Sequence, residues 1–474
     1  MTIPLPTPSG SRANNAATPD MIQAGVFLKI AIINQPHDPI VAAEEQRGSV
    51  SIVNWELARR LSERHDVTIY APRASGQAAV ETFGNIGIRR VNFVARHFHK
   101  AFQLMAGRLQ GRRPYAHTRL YYRKYYLEIA AALRAHPVDI VHFPTQLQFA
   151  KDFRAALPNA RIIMHMHQDE LAHLDESYLR HNLPAIDSIV TVSDHVTEGA
   201  RRRLPDLADR IHTIGNGVDI RRFRPASDRH QPRRPCRLLF VGRISPDKGV
   251  HVLMKAFDAV ARERPDLELT LIGKPGMMPM DVLGVLLKED AALEAVRDFY
   301  GRSTFAWLTK EVLGQRSSYV GHARMLLSPQ TAARVRFRGT VSLPELQSLY
   351  QQADLLILPS IWQESYGLPV AEAMASGVPV LATRSGGVPE LVEDGVTGCL
   401  VPRFDVDALT HGLRRMLADP DRLQAMGQAA RIRAEQLLTW ERSALRLEEV
   451  YLRSFRGSEG RPAGLQERRR CDIE

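Results

Sequence analysis

Two successive trains of short apolar runs, each interleaved with helical patterns, constrain this 474-residue chain more than any other feature. In the first train the runs are Phe27 to Asn34, Val67 to Ala71, Ile88 to Phe93, Asp139 to Phe143, Arg161 to His167, Ser188 to Ser193 and Ile211 to Ile214. In the second they are Arg237 to Val241, Glu268 to Ile272, Val335 to Phe337, Asp354 to Leu358 and Val378 to Ala382, with Cys399 to Val401 a short edge. Runs of this length bounded by turn residues read as buried strands, and strands alternating with helices read as βαβ units of a parallel sheet. The stretch Ser51 to Arg64 places Val53, Leu57, Ala58 and Leu61 at helical spacing. Phe223 to Cys236, with three prolines and several arginines, reads as a connection between domains. The prediction is therefore α/β, with one domain over 25–225, a linker over 226–236 and a second domain over 237–437. A chain this long can bury two cores.

Composition narrows the setting. Cys236, Cys399 and Cys471 are scattered without metal-ligand spacing, which argues for a reducing compartment and no disulfide framework. No apolar run reaches about 18 residues, so the sequence predicts no transmembrane helix. Residues 1–24 lack a basic start and an apolar stretch and read as a disordered leader, not a secretory signal. Residues 457–474 read as a charged, disordered tail. The expected localisation is cytoplasmic.

The formal net charge of +11 is unevenly spread. Nine cations lie between Arg96 and Arg134 against the single acid Glu128, and Tyr115, Tyr121, Tyr122, Tyr125 and Tyr126 are interleaved with them. A solvated helical face is one reading of 96–134. Contact with an anionic membrane at the inner face is another, each cation contributing about 1 kcal/mol near the headgroups. An RNA backbone is a third and less favoured one, and no nucleic-acid partner is expected.

Chemistry concentrates in the second domain. After the run Asp354 to Leu358 come Glu364-Ser-Tyr366-Gly367-Leu368-Pro369, an Ala/Met-rich helix containing Glu372, a glycine stop at Gly377, and later Gly386-Gly387. A helix that starts after a strand aims free N–H groups and a positive dipole end at whatever lies above it, which suits phosphate. Carboxylates flanking such a mouth suit hydroxyl-rich groups on either side, the layout of a nucleotide sugar. Were both residues helical, Glu364 and Glu372 would lie roughly 12 Å apart. Hydrolytic carboxylate pairs need about 5 to 9.5 Å, so the spacing argues against hydrolysis.

This segment resembles the Glu-x7-Glu signature of retaining, nucleotide-sugar-dependent glycosyltransferases of family 4. Phe240-Val-Gly-Arg-Ile-Ser-Pro-Asp-Lys-Gly249 resembles that family's diphosphate-binding strand and loop, and Ile214 to Pro225 resembles the segment closing its first lobe. Together they extend the resemblance over roughly residues 26–455. It implies a GT-B fold, two Rossmann-like doubly wound domains facing across a cleft, with a helix over 438–456 crossing back to the first. Gly301-Arg-Ser-Thr-Phe305 resembles a loop of one branch of the family, which leaves Pro275 to Tyr300 as an insertion: a surface elaboration or an acceptor contact.

The resemblance also implies roles. Gly242, Arg243 and Lys248 would hold the diphosphate, Glu372 the ribose hydroxyls and Glu364 the hydroxyls of the transferred sugar. The amides of Tyr366, Gly367 and Leu368 would face phosphate or sugar. Gly386 and Gly387 would allow a close backbone approach or simply make a turn. His167 best matches a histidine that approaches the donor sugar, with His165 the alternative and His142 structural. Gly48, in Arg47-Gly48-Ser49, matches one of two glycines that admit the donor phosphate. No Asp-x-Asp occupies a comparable loop, so the expected site needs no metal and no cofactor beyond the nucleotide-sugar co-substrate. The implied activity is retaining transfer of a sugar onto a glycan or lipid-linked acceptor of a cell-surface polymer. A soluble-acceptor synthase of the sucrose or trehalose type and a noncatalytic anion or RNA binder are the alternatives.

Overall fold

Strands without a polar face must be covered on both sides, and the central strands of this chain have none. In a computed structural model, residues 26–41, 48–92, 115–226, 236–276 and 317–455, with the isolated helical positions 294, 296 and 299, are described. The first lobe contains β1 (Lys29–Ile33), β2 (Asp66–Pro72), β3 (Val80–Phe83), β4 (Ile86–Val91), β5 (Ile140–Pro144), β6 (Arg161–Met166), β7 (Ser188–Thr191) and β8 (Ile211–Thr213). The second contains β9 (Cys236–Val241), β10 (Leu267–Ile272), β11 (Val335–Arg338), β12 (Leu355–Leu358), β13 (Val380–Thr383) and β14 (Gly398–Val401). Every residue of β5, β7, β12, β13 and β14 is buried.

The sheet orders are β3-β4-β2-β1-β5-β6-β7-β8 and β11-β10-β9-β12-β13-β14. All pairings are parallel except β3 with β4. Each order reverses direction beside its first strand, the doubly wound arrangement predicted above. Helices cover the faces with apolar residues at three- and four-residue spacing. In the helix Val250–Glu263 the buried set includes Val250, Leu253, Met254, Phe257, Val260 and Ala261. Burying one such large side chain stabilises by roughly 1.5–3 kcal/mol.

The predicted strands all form, with ends shifted by a few residues. Three corrections follow from burial. The strand β3 was not foreseen: its four residues are all exposed, so it carries no apolar signal. It is held by the tight connection Gly84-Asn85, where Gly84 takes φ +56°. Cys236, assigned to the linker, is the first residue of β9, and its amide donates to Asp266 O at 2.9 Å. Three tyrosines of the basic stretch, Tyr122, Tyr125 and Tyr126, are buried, the last two because the helix Arg123–Ala135 packs its apolar side on the sheet. Tyr125 and Tyr126 are fully buried, Tyr126 stacking on Phe149 at 4.4 Å, so these members of the supposed surface pattern belong to the core. Residues 93–114, 277–293, the leader, the tail and linker residues 227–235 lie outside the described residues. Among the described residues no helix is long and apolar enough to cross a membrane.

The helix Trp440–Ser454 returns to the first lobe. Its Trp440, Ala444, Leu447, Val450 and Tyr451 join the cluster containing Ile30, Ile32, Val53, Leu57 and Ile163. Arg60 and His65 bond Glu441 and Glu448 of this helix, at 3.1 Å each.

Candidate functional site

The second lobe presents a cationic turn at the carboxyl end of β9. Residues Pro246–Lys248 form one 3-10 turn, and Gly249 closes it with φ +68° before the helix Val250–Glu263 begins. The completely buried Asp247 fixes this turn from both directions. Its carboxylate accepts from Arg243 Nη2 at 2.7 Å, and its backbone oxygen accepts from the amides of Ile361 and Trp362 at 2.9 and 3.2 Å. Arg243 Nε also lies 3.3 Å from Ser245 Oγ.

Lys248 does not stand alone. Its Nζ lies 2.6 Å from Glu364 Oε1 and 4.6 Å from the centre of the Trp362 ring. The Ser360 hydroxyl donates to the same carboxylate oxygen. Glu364 lies in the loop before the helix Leu368–Ala375, not within it, so the straight-helix separation from Glu372 does not apply. The structure thus joins the diphosphate lysine and the sugar glutamate of the prediction into one largely buried ion pair.

A braced loop holds Glu364. Its amide donates to Ser385 Oγ at 2.9 Å, and Ser385 Oγ donates to Trp362 O at 2.6 Å. Gly387 N donates to Glu364 O at 2.7 Å and Gly386 N to Gln363 Oε1 at 2.6 Å. At Gly386, with φ +50°, a Cβ would lie 2.0 Å from Glu364 O. The two glycines therefore make a close backbone approach, and their amides are spent on the Glu364 loop. By contrast, the amides of Tyr366, Gly367 and Leu368 find no acceptor among the described residues. They lie at the start of the helix Leu368–Ala375, where unmade backbone bonds suit an anion.

Glu372 sits one turn into that helix. Tyr350 donates to its Oε2 at 2.8 Å, and burial pushes its carboxyl up to about 7, against the opposing effect of this hydrogen bond. Glu372 and Leu368 line a cavity between the lobes whose first-lobe wall includes Trp55, Glu56 and Val218. Arg243, Lys248 and Glu364 do not line it. The two predicted acids therefore serve different surroundings on either side of the helix mouth.

In the first lobe, β6 ends at Met166 and His167 follows. His165 and His167 project to the same side, their rings 4.3 Å apart, as strand alternation requires. His165 is buried in the sheet and bonds His142 at 3.1 Å, whereas His167 is half-buried with an unpartnered Nε2. Burial holds the His167 imidazole down at about 4 and His142 at about 3, so both are neutral near pH 7. Gly48 caps the helix Ser49–Leu61 with an extended backbone. A Cβ there would lie 2.2 Å from Asp38 Oδ2, so the Asp38 side chain would have to move aside.

The lobes touch beside this site. Tyr366 donates its hydroxyl to Asn216 O. The Glu390 carboxylate accepts from the amides of Asp194 and His195 at 2.8 Å each, at the start of the helix Asp194–Arg203. Sequence reasoning missed Asp247, Ser360, Tyr350 and Ser385. Only Asp247 had a signal, its place inside the matched loop. Among the described residues no group of three or more His, Cys, Asp or Glu is arranged to hold a metal ion.

Comparison with known proteins agrees with this two-lobed α/β fold. Residues 50–222 match the family model described as Glycosyltransferase Family 4, and residues 323–433 match that of glycosyl transferases group 1. Spore coat protein SA of Bacillus subtilis is 23% identical over 439 residues, covering 90% of this chain and 99% of that protein. Among solved structures, sucrose-phosphate synthase from Thermosynechococcus elongatus superposes with a TM-score of 0.67 at 22% identity, covering 91% of this chain and 100% of that one. Anabaena Alr3699/HepE in complex with UDP and glucose superposes at 0.60 and 17% identity, covering 89% and 98%. At these identities the structural likeness is one of fold.

Proposed function

We propose that this chain, a glycosyltransferase of the GT-B type, moves a sugar with retention from a nucleotide-sugar donor to a glycan or lipid-linked acceptor, without a metal. The observation carrying this reading is the Lys248–Glu364 ion pair in the loop before the helix Leu368–Ala375, next to three amides unengaged among the described residues, with Arg243 tied to the same turn through Asp247. Departure of a nucleoside diphosphate leaves negative charge that fixed cations and dipoles must stabilise. Arg243 and Lys248 supply the cations, and the amides of Tyr366, Gly367 and Leu368 supply the dipoles. Glu364 orients the sugar hydroxyls, and His167 offers a neutral imidazole to the sugar from the opposite lobe. In this reading the bond from the anomeric carbon to phosphate oxygen breaks and that to the acceptor oxygen forms on the same face. The acceptor proton passes to the departing phosphate. Structural likeness to a protein solved with UDP supports a nucleotide donor, and likeness to a spore coat protein supports a surface glycan as acceptor. Cys236 and Cys399, neither in a disulfide, agree with a cytoplasmic setting.

A thermal-shift series with UDP, GDP and ADP, and with their sugar conjugates, tests the reading. One nucleotide family is expected to stabilise the protein, by about 2.7 kcal/mol at a hundredfold excess over Kd. EDTA should leave that shift unchanged. No response to any nucleotide would remove the donor site, and an EDTA-sensitive response would remove the metal-free mechanism. Steep salt-dependent RNA binding in their place would favour a noncatalytic anion binder.

Glu372 gives the reading a pH signature. Its carboxyl is raised above the ordinary 4.5, so its contribution to stability is complete below that value and is lost as pH rises to about 7. Ribose hydroxyls donate to the ionised form, so donor binding has the opposite dependence. The donor KM is expected to fall by up to about tenfold per pH unit on approaching pH 7 from below, then to level off. Glu372→Gln should flatten this part of the profile. Initial-rate kinetics between about pH 5.5 and 8 measure it, and an equally steep profile in the variant would assign the titration elsewhere.

A further inference from the structure

Three polar side chains cross the interior of the first lobe in single file. The Tyr451 hydroxyl lies 2.7 Å from His142 Nδ1, and His142 Nε2 lies 3.1 Å from His165 Nδ1. All three residues are at most 1% exposed and are set among the apolar side chains of β1, β5, β6 and the helix Trp440–Ser454. The last ring, His165, lies against His167, with centroids 4.3 Å apart and planes inclined at 35°.

We propose that Tyr451, His142 and His165 are positioning residues, a buried hydrogen-bond chain that fixes the orientation of the His167 ring at the end of β6. The inference rests on the reading above in one respect, that His167 meets the donor sugar. Burying polar groups costs stability unless they are bonded to one another, and hydrocarbon side chains would fill this space without that requirement. The chain satisfies its own members up to His165 Nε2, which has no partner. The hydrogen-bond pattern admits two arrangements. Either Tyr451 donates to His142 Nδ1 and His142 Nε2–H donates to His165, or both bonds run in reverse. In each, both imidazole planes are held, because His142 uses both ring nitrogens and meets His165 edge-on at 88°. His165 then forms a fixed platform under His167, whose own Nε2 has no bond to anchor it. Tyr451 starts this chain from the returning helix, so the ring at the cleft is set from a segment that follows the second lobe in sequence.

The test uses the full chain and two readouts. Long-range proton–nitrogen NMR of the histidine rings reports tautomer and environment whether or not the enzyme turns over. Tyr451→Phe removes only the hydroxyl and is expected to shift the ring resonances of His142, His165 and His167 together. Its kcat should fall between about 10- and 100-fold, as for a misplaced reacting group, with the donor KM nearly unchanged. In a His167→Ala background the same substitution should lower kcat no further. Unmoved His167 resonances in Tyr451→Phe, or an equal loss of kcat with and without His167, would overturn the chain. Should His167→Ala turn over normally while Tyr451→Phe still moves the His167 resonances, the positioning stands and the donor-facing role of His167 falls. If Tyr451→Phe does not fold, His142→Gln, whose side chain keeps a donor and an acceptor, replaces it in both measurements.

Discussion

Lys248→Ala is expected to lower kcat/KM for the nucleotide-sugar donor by about 100-fold or more, the scale of removing one preorganised charge partner from a transition state. The structure adds a complication that shapes the experiment. Lys248 and Glu364 form a largely buried pair at 2.6 Å, and deleting one member of such a pair leaves the other uncompensated at a cost of roughly 3–5 kcal/mol. A lost activity in the single variant would then mix chemistry with folding. The double variant Lys248→Met, Glu364→Gln removes both charges together. It is expected to recover most of the melting temperature while activity stays at the background level. A double variant as active as the parent would show that this pair serves only the fold, and the assignment of the site would end there.

Gly249→Ala is expected to unfold the turn that carries the lysine. A side chain at φ +68° costs about 1–2 kcal/mol through backbone strain alone. Here the added Cβ would also lie 1.9 Å from Pro359 O, a backbone atom that cannot swing aside. We expect a total loss on the order of 3 kcal/mol or more, or about 6–12 °C in Tm for a domain of this size. Gly395 provides the control, since it has φ +82° and a Cβ added there would meet nothing within 4 Å. Gly395→Ala should therefore show the strain without the collision, a loss of about 1–2 kcal/mol. Equal effects at the two glycines, read by thermal denaturation, would mean that the Pro359 contact relaxes freely.

Much of the fold could be read in advance because buried strands carry their own signal. Runs such as Leu355–Leu358, and Val380 to Ala382 within β13, are apolar throughout and bounded by turn residues, so their existence follows from burial on two faces. The same logic fails where burial is absent, as at Val80–Phe83. It fails differently at Tyr125 and Tyr126, since tyrosine suits a wet surface and a bonded interior equally well. Tyr125 resolves the choice by donating to Asn34 O at 2.9 Å, an acceptor 91 residues away in sequence. In the candidate site the residue types and their local order were legible, but the partners were not. Lys248 and Glu364 are 116 residues apart and His142 and Tyr451 are 309 apart. No local pattern encodes such pairings, because they depend on which strands become neighbours, β9 beside β12, and on where the returning helix packs. The bracing by Ser360, Ser385 and Asp247 was hidden for the same reason, as short polar residues beside a glycine turn resemble ordinary loop.

The returning helix has a consequence for the order in which this protein matures. Trp440, Leu447, Val450 and Tyr451 complete a core whose other members begin at Leu28. During synthesis the amino-terminal half therefore emerges with an open groove, which stays uncovered while more than two hundred further residues are added. Domains made by a ribosome usually settle one after another in order of emergence. Here the earlier-born lobe must wait for the later one, and its exposed apolar channel is the part of the nascent chain most in need of protection.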